Sequence, residues 1–262
     1  ADGLVTPAQV RDAIRPDTLV VSIMHANNEI GVINDIAAIG AVCREAGVPF
    51  HTDAAQTAGK VPIDVRSMPV DLVSISAHKM YGPKGMGALY VRRDPPIRLT
   101  PLIHGGGHER GMRSGTLATH QIVGLGEASA ILMRDMEREN ARILGLRERL
   151  LAHLLQVPGT RLNGDRERRL PGLVNVSFEG VDGETLLMAL DDVAVSTGSA
   201  CTSASVEPSY VLRALNVPDD LAHASLRFTV GRYTTQADVD HVGQRVADVV
   251  NRLREANPVA MP

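Results

Sequence analysis

The sequence predicts an α/β chain, with a large domain on a mostly parallel sheet followed by a smaller α+β domain. Three observations predict it. Short, β-branched apolar runs alternate with amphipathic helical stretches through the first half, the pattern of parallel strands joined by crossover helices. Polar residues with useful chemistry follow directly on several of those runs, where the crevice of such a sheet lies. Beyond the charged run RDMERENAR (134–142) the order of runs and helices changes, which predicts domains at 1–135 and 136–262.

The elements follow from local signals. In VTPAQVRDAI (5–14), Thr6 is an N-cap and Pro7 the first helical residue. DTLVVSIM (17–24) is short, apolar and β-branched, hence a strand. DIAAIGAVCREAG (35–47) sets Ile36, Ile39, Val42 or Cys43, and Ala46 on one helical face and stops at Gly47. VPFHTD (48–53), VDLVSIS (70–76) and GALYVRR (87–93) read as strands. Thr116 to about Gln156 reads as helix, with a change of direction expected near Asp135, where charge replaces IVGLGEASAILM (122–133). In the remainder, GLVNVSF (172–178) and ASLRFTV (224–230) are strands. GETLLMALDD (183–192), EPSYVLRAL (207–215) and QADVDHVGQRVADVVNRLREA (236–256) are helices.

Composition narrows the function classes. At 262 residues and 44% apolar the chain can bury a core. A net charge of −3, no Trp, 3% aromatics and no basic run argue against a nucleic-acid surface. No apolar run approaches the roughly 18 residues of a membrane span, and the first residues lack the basic-then-apolar order of a signal peptide. A cytoplasmic protein is expected. The two cysteines, Cys43 and Cys201, make no bridge framework and no C-x-x-C zinc spacing.

Of the 27 basic residues, only Lys60, Lys79 and Lys84 are lysines, so chemistry that needs a neutral amine has three candidates. Lys79 follows the run ending at Ser76, beside His78 and ahead of Gly82, Pro83, Gly85 and Gly87. A lysine there is expected to be partly desolvated, which favours the neutral amine that forms Schiff bases. From position alone, a lysine snorkelling at a sheet edge is the commoner case. Asp53 ends another strand with Gln56 three residues on; it could cap a helix or hold a proton on a pyridine nitrogen. Asn28, in HANNEIG, follows a third strand and could form the loop or bind a carboxylate. These three strand ends are expected to converge on one sheet edge.

Other motifs fail. HGGG (104–107) has no G-x-S-x-G elbow to serve, GPKGMG lacks the Lys-Ser/Thr of a P-loop, and His51 with Asp53 lacks a third ligand, so no metal is expected. Glu109, Arg110 and Arg113 are either an interface group or solvated loop charges. Cys43, on an apolar helical face, reads as core. Cys201, among Ser, Gly, Ala and Thr, has little to pack against.

NNEIG, HTDAAQ, SAHKMYGPKG, HGGGHERGMRSGT and STGSACTSAS with EPSYVLRAL, in that order, resemble the signatures of the cysteine desulfurases. These are pyridoxal phosphate enzymes of fold type I in iron–sulfur cluster assembly, and the likeness is to the housekeeping type. The resemblance implies a fold type I large domain and a small C-terminal domain carrying the cysteine loop. It implies that Lys79 bonds pyridoxal phosphate and moves protons, Asp53 pairs with the pyridinium nitrogen, and Gln56 bonds the phenolic oxygen. Ser76, His78 and Thr116 would bind the phosphate, Thr116 across a homodimer interface. Asn28 and Arg227 would hold the substrate carboxylate. Cys201 would take the sulfur of L-cysteine as a persulfide, release alanine, and pass sulfur to a scaffold protein or another acceptor.

The resemblance also implies a stretch ahead of residue 1 carrying a phosphate-binding loop and a ring-stacking histidine, because residues 1–27 hold neither. The chain is therefore expected to be a piece whose large domain is incomplete, poorly stable without a partner. The alternatives are a selenocysteine lyase or aminotransferase on the same fold, or an inactive interaction module.

Overall fold

In the computed structural model, residues 2–197 and 207–256 are described. They divide into two compact units. The N-terminal unit comprises Val5–His25 and Asn34–Met136; the C-terminal unit comprises the described residues of Ala1–Leu4, Ala26–Ile33 and Glu137–Pro262.

Local signals build the N-terminal unit. Helix α1 (Pro7–Ala13) opens on a full capping box, in which the Thr6 side chain accepts from the Gln9 backbone and Gln9 reaches back. Helix α2 (Ile36–Glu45) is capped by Asp35, buries Ile36, Ile39, Val42 and Cys43, and is followed by Gly47 at φ +68°. Gly40 lies where a Cβ would strike the Pro69 carbonyl, so only glycine permits that approach.

The sheet order is β1 (Val21–Met24), β2 (Phe50–Asp53), β3 (Leu72–Ser76) and β4 (Gly87–Val91). The first three are parallel and β4 is antiparallel. One face closes over α1 and α2 through Val10, Ile39, Phe50, Val70 and Val73. No helix forms between β2 and β3 among the described residues, in keeping with the consecutive strands read there. Residues 54–71 cross as turns, a stretch broken by Gly59, Pro62 and Pro69.

Helix α3 runs without interruption from Thr119 to Gln156. The expected change of direction at Asp135 is absent, because the charged run is made mainly of strong helix formers with no Gly or Pro. The division between units falls inside this helix. The division also departs from the expected domains, since residues 1–4 and 26–33 group with the C-terminal unit. Within that unit Val32 bridges Arg169, and Gly31, at φ +77°, seats against Leu173.

The C-terminal unit has an antiparallel sheet of β5 (Thr160–Leu162), β6 (Leu173–Phe178) and β7 (Ser225–Thr229). Its core joins Leu150, Leu151 and Leu154 of α3 to Val176, Phe178, Leu226 and Phe228. Helix α4 (Gly183–Ala189) adds Leu186, and α7 (Gln236–Ala256) adds Val246, Val249 and Val250. Helices α5 (Tyr210–Ala214) and α6 (Asp219–His223) are short. All of β6 is buried, Asn175 and Ser177 included. The Asn163 amide satisfies both, at 2.7 and 2.8 Å, and Ser177 reaches Ser225 at 2.7 Å, as buried polar groups require.

Candidate active site

In the N-terminal unit, parallel β2 and β3 end side by side, with Asp53 in register with Ser74. Asp53 is exposed, and its carboxylate accepts from the Ala55 N–H at 2.8 Å. A single 3₁₀ turn, Ala77–Met80, then presents His78 and Lys79. Ala77 and Met80 are buried and Met80 packs on Ala58 and Leu132, so the turn is gripped by its apolar residues while its polar ones face outward. The Ser76 hydroxyl and His78 Nδ1 lie 2.9 Å apart. The turn ends at Tyr81 in the left-handed region, φ 62°.

Lys79 is exposed, which corrects the expected desolvation. Burial falls instead on Lys60, half-buried in the turn after β2, whose ammonium is held below its ordinary value first by desolvation and then by the charge of Lys79. A lysine on a surface 3₁₀ turn keeps its water; one folded under the β2 crossover does not. Gln56 is half-buried on the same crossover.

Thr116 is exposed on the stretch leading into α3, next to a loop that ties itself together through Ser114 to Gly107 and His108 to Gly115.

Two of the three strand ends expected to converge, those of β2 and β3, stand side by side within the N-terminal unit. Asn28 belongs to the C-terminal unit, where the structure pairs it with Arg227: the Arg227 Nη1 donates to the Asn28 carbonyl at 2.8 Å. Cys201 lies outside the described residues. Cys43 is buried, and desolvation, then Asp71, pushes its thiol up, which suits a packing role.

The sequence reading weighed His51 only as a metal ligand and assigned no role to Glu29, Ser209 or His25. His51, between Ser22 at 2.7 Å and Ser74 at 2.9 Å, links three strands on the face that carries Asp53 and Ser76. Glu29 and Ser209 form a buried pair at 2.6 Å. His25 is buried and its imidazole is pushed down to about 4, by desolvation against the opposing pull of Asp35. None sits in a spacing that advertises it.

Residues 1–242 match the family model described as aminotransferase class-V. The chain belongs to that family. A curated relative, the cysteine desulfurase IscS of Shewanella denitrificans, is 61% identical over 259 residues, 99% of this chain and 64% of the relative. The class-V chain thus spans less than two thirds of that relative's length. Among solved structures, a NifS-like protein is similar with a TM-score of 0.86 at 34% identity, over 96% of this chain and 66% of its own. A structure described as SspA in complex with cysteine has a TM-score of 0.73 at 38% identity, over 89% of this chain and 65% of its own. This likeness establishes the fold expected from the sequence.

The donor set of the class-V chain fits the expected cofactor. A carboxylate, a hydroxyl–imidazole pair and a primary amine stand on two adjacent strand ends, the complement of a pyridinium nitrogen, a phosphate and an aldehyde. Among the described residues no cluster of His, Cys, Asp or Glu could hold a metal ion, and no helix is long and apolar enough to cross a membrane.

Proposed function

We propose that this chain carries the cofactor-binding lysine and the sulfur-carrying cysteine of an L-cysteine desulfurase that uses pyridoxal phosphate. The observation that carries the reading is the delivery of Asp53, Ser76, His78 and Lys79 from two adjacent parallel strand ends. The names of its relatives, and the cysteine held by SspA, support L-cysteine as the substrate.

When bound, pyridoxal phosphate supplies the electron sink of the reaction. Lys79 would hold it through the amine and would move protons at the substrate carbons. Asp53 would accept the pyridinium N–H, Gln56 would donate to the phenolic oxygen, and Ser76 with His78 would donate to the phosphate. Thr116 adds to the phosphate site of a second copy in a homodimer. In the C-terminal unit, Asn28 and Arg227 bind the substrate carboxylate. With Nη1 engaged by the Asn28 carbonyl, the fork offered by Arg227 is Nε with Nη2, a bidentate match to a carboxylate.

The Cys201 thiolate attacks the substrate sulfur. The new S–S bond forms as the carbon–sulfur bond breaks, its electron pair stays with the carbon skeleton, and a proton taken up there completes alanine. The persulfide on Cys201 then passes its outer sulfur to an iron–sulfur scaffold or another acceptor, in a cytoplasm that keeps thiols reduced.

A reduction experiment tests the assignment. The chain is incubated with pyridoxal phosphate, reduced with borohydride and mapped by peptide mass. Label at Lys79 is expected. The depressed amine of Lys60 is the competing anchor, and label there alone, or no label, overturns the site.

A further inference from the structure

The turn that carries Asn28 also bonds the downstream described flank of the segment holding Cys201, at Ser209. Asn27 Oδ1 accepts from the N–H groups of Glu29 and Ile30 at 2.8 and 3.0 Å, and Gly31 N–H returns to the Asn27 carbonyl at 3.0 Å. Three hydrogen bonds to Asn27 therefore close the turn on itself. Glu29 within it is only 4% exposed, and its backbone carbonyl accepts from the Asn175 amide at 3.3 Å.

The Glu29 carboxylate accepts from the Ser209 hydroxyl at 2.6 Å, and Ser209 is itself buried. That hydroxyl oxygen also caps α5, accepting from Val211 at 3.1 Å and Leu212 at 3.4 Å. Its single proton goes to Glu29 and its lone pairs to the helix, so its hydrogen-bonding capacity is filled. On the other flank, the Ser196 carbonyl accepts from the Arg227 N–H at 2.7 Å, and the Arg227 guanidinium bonds the Asn28 carbonyl. Ser209 is thus bonded directly to the turn at Glu29, whereas Ser196 is bonded to β7, whose Arg227 side chain reaches the turn at Asn28. A carboxylate this buried is costly to desolvate, and a helix of five residues gains a cap from serine without it.

We propose that Glu29 is a positioning residue for sulfur transfer: through its buried bond to Ser209 it fixes the downstream flank of the Cys201 segment to the turn that presents Asn28. The proposal rests on the desulfurase reading for what Cys201 does. The strut itself is independent of that reading.

The test compares Glu29→Ala, Glu29→Gln and Ser209→Asp in the full chain loaded with pyridoxal phosphate. Glu29→Gln keeps an oxygen that accepts from Ser209. Ser209→Asp keeps a good cap for α5 but sets a carboxylate against Glu29. Persulfide formation on Cys201 is followed in a single turnover by mass spectrometry, and cysteine affinity by the change in cofactor absorbance. Misplacing a reacting group by about 1 Å costs on the order of 100-fold in rate. Glu29→Ala and Ser209→Asp are therefore expected to form persulfide about 10- to 100-fold more slowly, with cysteine affinity within about 3-fold and amide exchange in α5 unchanged for Ser209→Asp. Glu29→Gln restores the rate to within about 3-fold.

A wild-type rate in Ser209→Asp overturns the proposal. So does equal loss in Glu29→Gln and Glu29→Ala, or loss of rate and affinity in parallel. If the wild-type chain itself forms no persulfide, the desulfurase reading fails. The strut is then judged by the iodoacetamide alkylation rate of Cys201 without cofactor. That rate is expected to change in Glu29→Ala and Ser209→Asp and not in Glu29→Gln; one rate for all four proteins overturns it.

Discussion

Acidification from pH 7.5 to pH 5 should cost this protein about 2 kcal/mol of stability through one residue, His25. The imidazole sits just past β1, is 3% exposed, and has its Nδ1 buried without a hydrogen-bond partner among the described residues. Burial pushes it from 6.5 down to about 4, and the attraction of Asp35 only partly offsets that. A base whose folded value is lowered binds its proton in the unfolded chain first, so its contribution is intact above pH 6.5 and is lost as pH falls toward 4. The full loss is about 3 kcal/mol, at about 1.4 kcal/mol per unit, of which about 2 kcal/mol is spent by pH 5.

Urea unfolding of the wild type and of His25→Gln, at steps from pH 7.5 to 5, isolates the effect. The other eight histidines are common to both proteins and cancel. Asp64, Asp165 and Asp182, held below the ordinary carboxylate value by hydrogen bonds, titrate below this window. The wild type should lose about 2 kcal/mol more than the variant. Equal losses in the two proteins would refute the assignment of a buried, neutral His25.

Other consequences are simpler to state. Asn163→Ala leaves Asn175 and Ser177 in β6 short of a partner and should destabilise the C-terminal unit by about 1–3 kcal/mol in urea. Gly40→Ala puts a methyl into the Pro69 carbonyl and should cost about 1–3 kcal/mol in the N-terminal unit, whereas Gly145→Ala, with open space at its Cβ, should stabilise α3 by about 0.5–1 kcal/mol. Cys201→Ser should retain borohydride label at Lys79 while losing the persulfide; undiminished persulfide would place the sulfur on another residue.

Much of the fold was legible because its signals are local. The stretch from Asp35 to Gly47 names its cap, its buried face and its stop within 13 residues, and α2 forms there. Asp53, Ser76, His78 and Lys79 stand at strand ends because each follows an apolar run that can only be a buried strand. The same local reading misplaced the reversal at Asp135, where a change from apolar to charged residues marks a helix leaving one unit for the other rather than a turn. What it could not show is that the turn carrying Asn28, although it follows β1 directly, packs within the C-terminal unit through Val32, Gly31 and Asn175.

Burial was the quantity least available to the eye. The order of residues around Lys79 predicted desolvation there, but the 3₁₀ turn points Ala77 and Met80 inward and leaves Lys79 in water. Lys60, in an unremarked crossover, is covered instead. Glu29 and Ser209 lie 180 positions apart, and nothing in either neighbourhood names the other. The sequence by itself determined the order of elements and the chemistry standing at their ends, since both depend on neighbours within a few residues. Only the tertiary structure decided which amine, imidazole and carboxylate lose their water, because desolvation is set by whatever the rest of the chain folds over them.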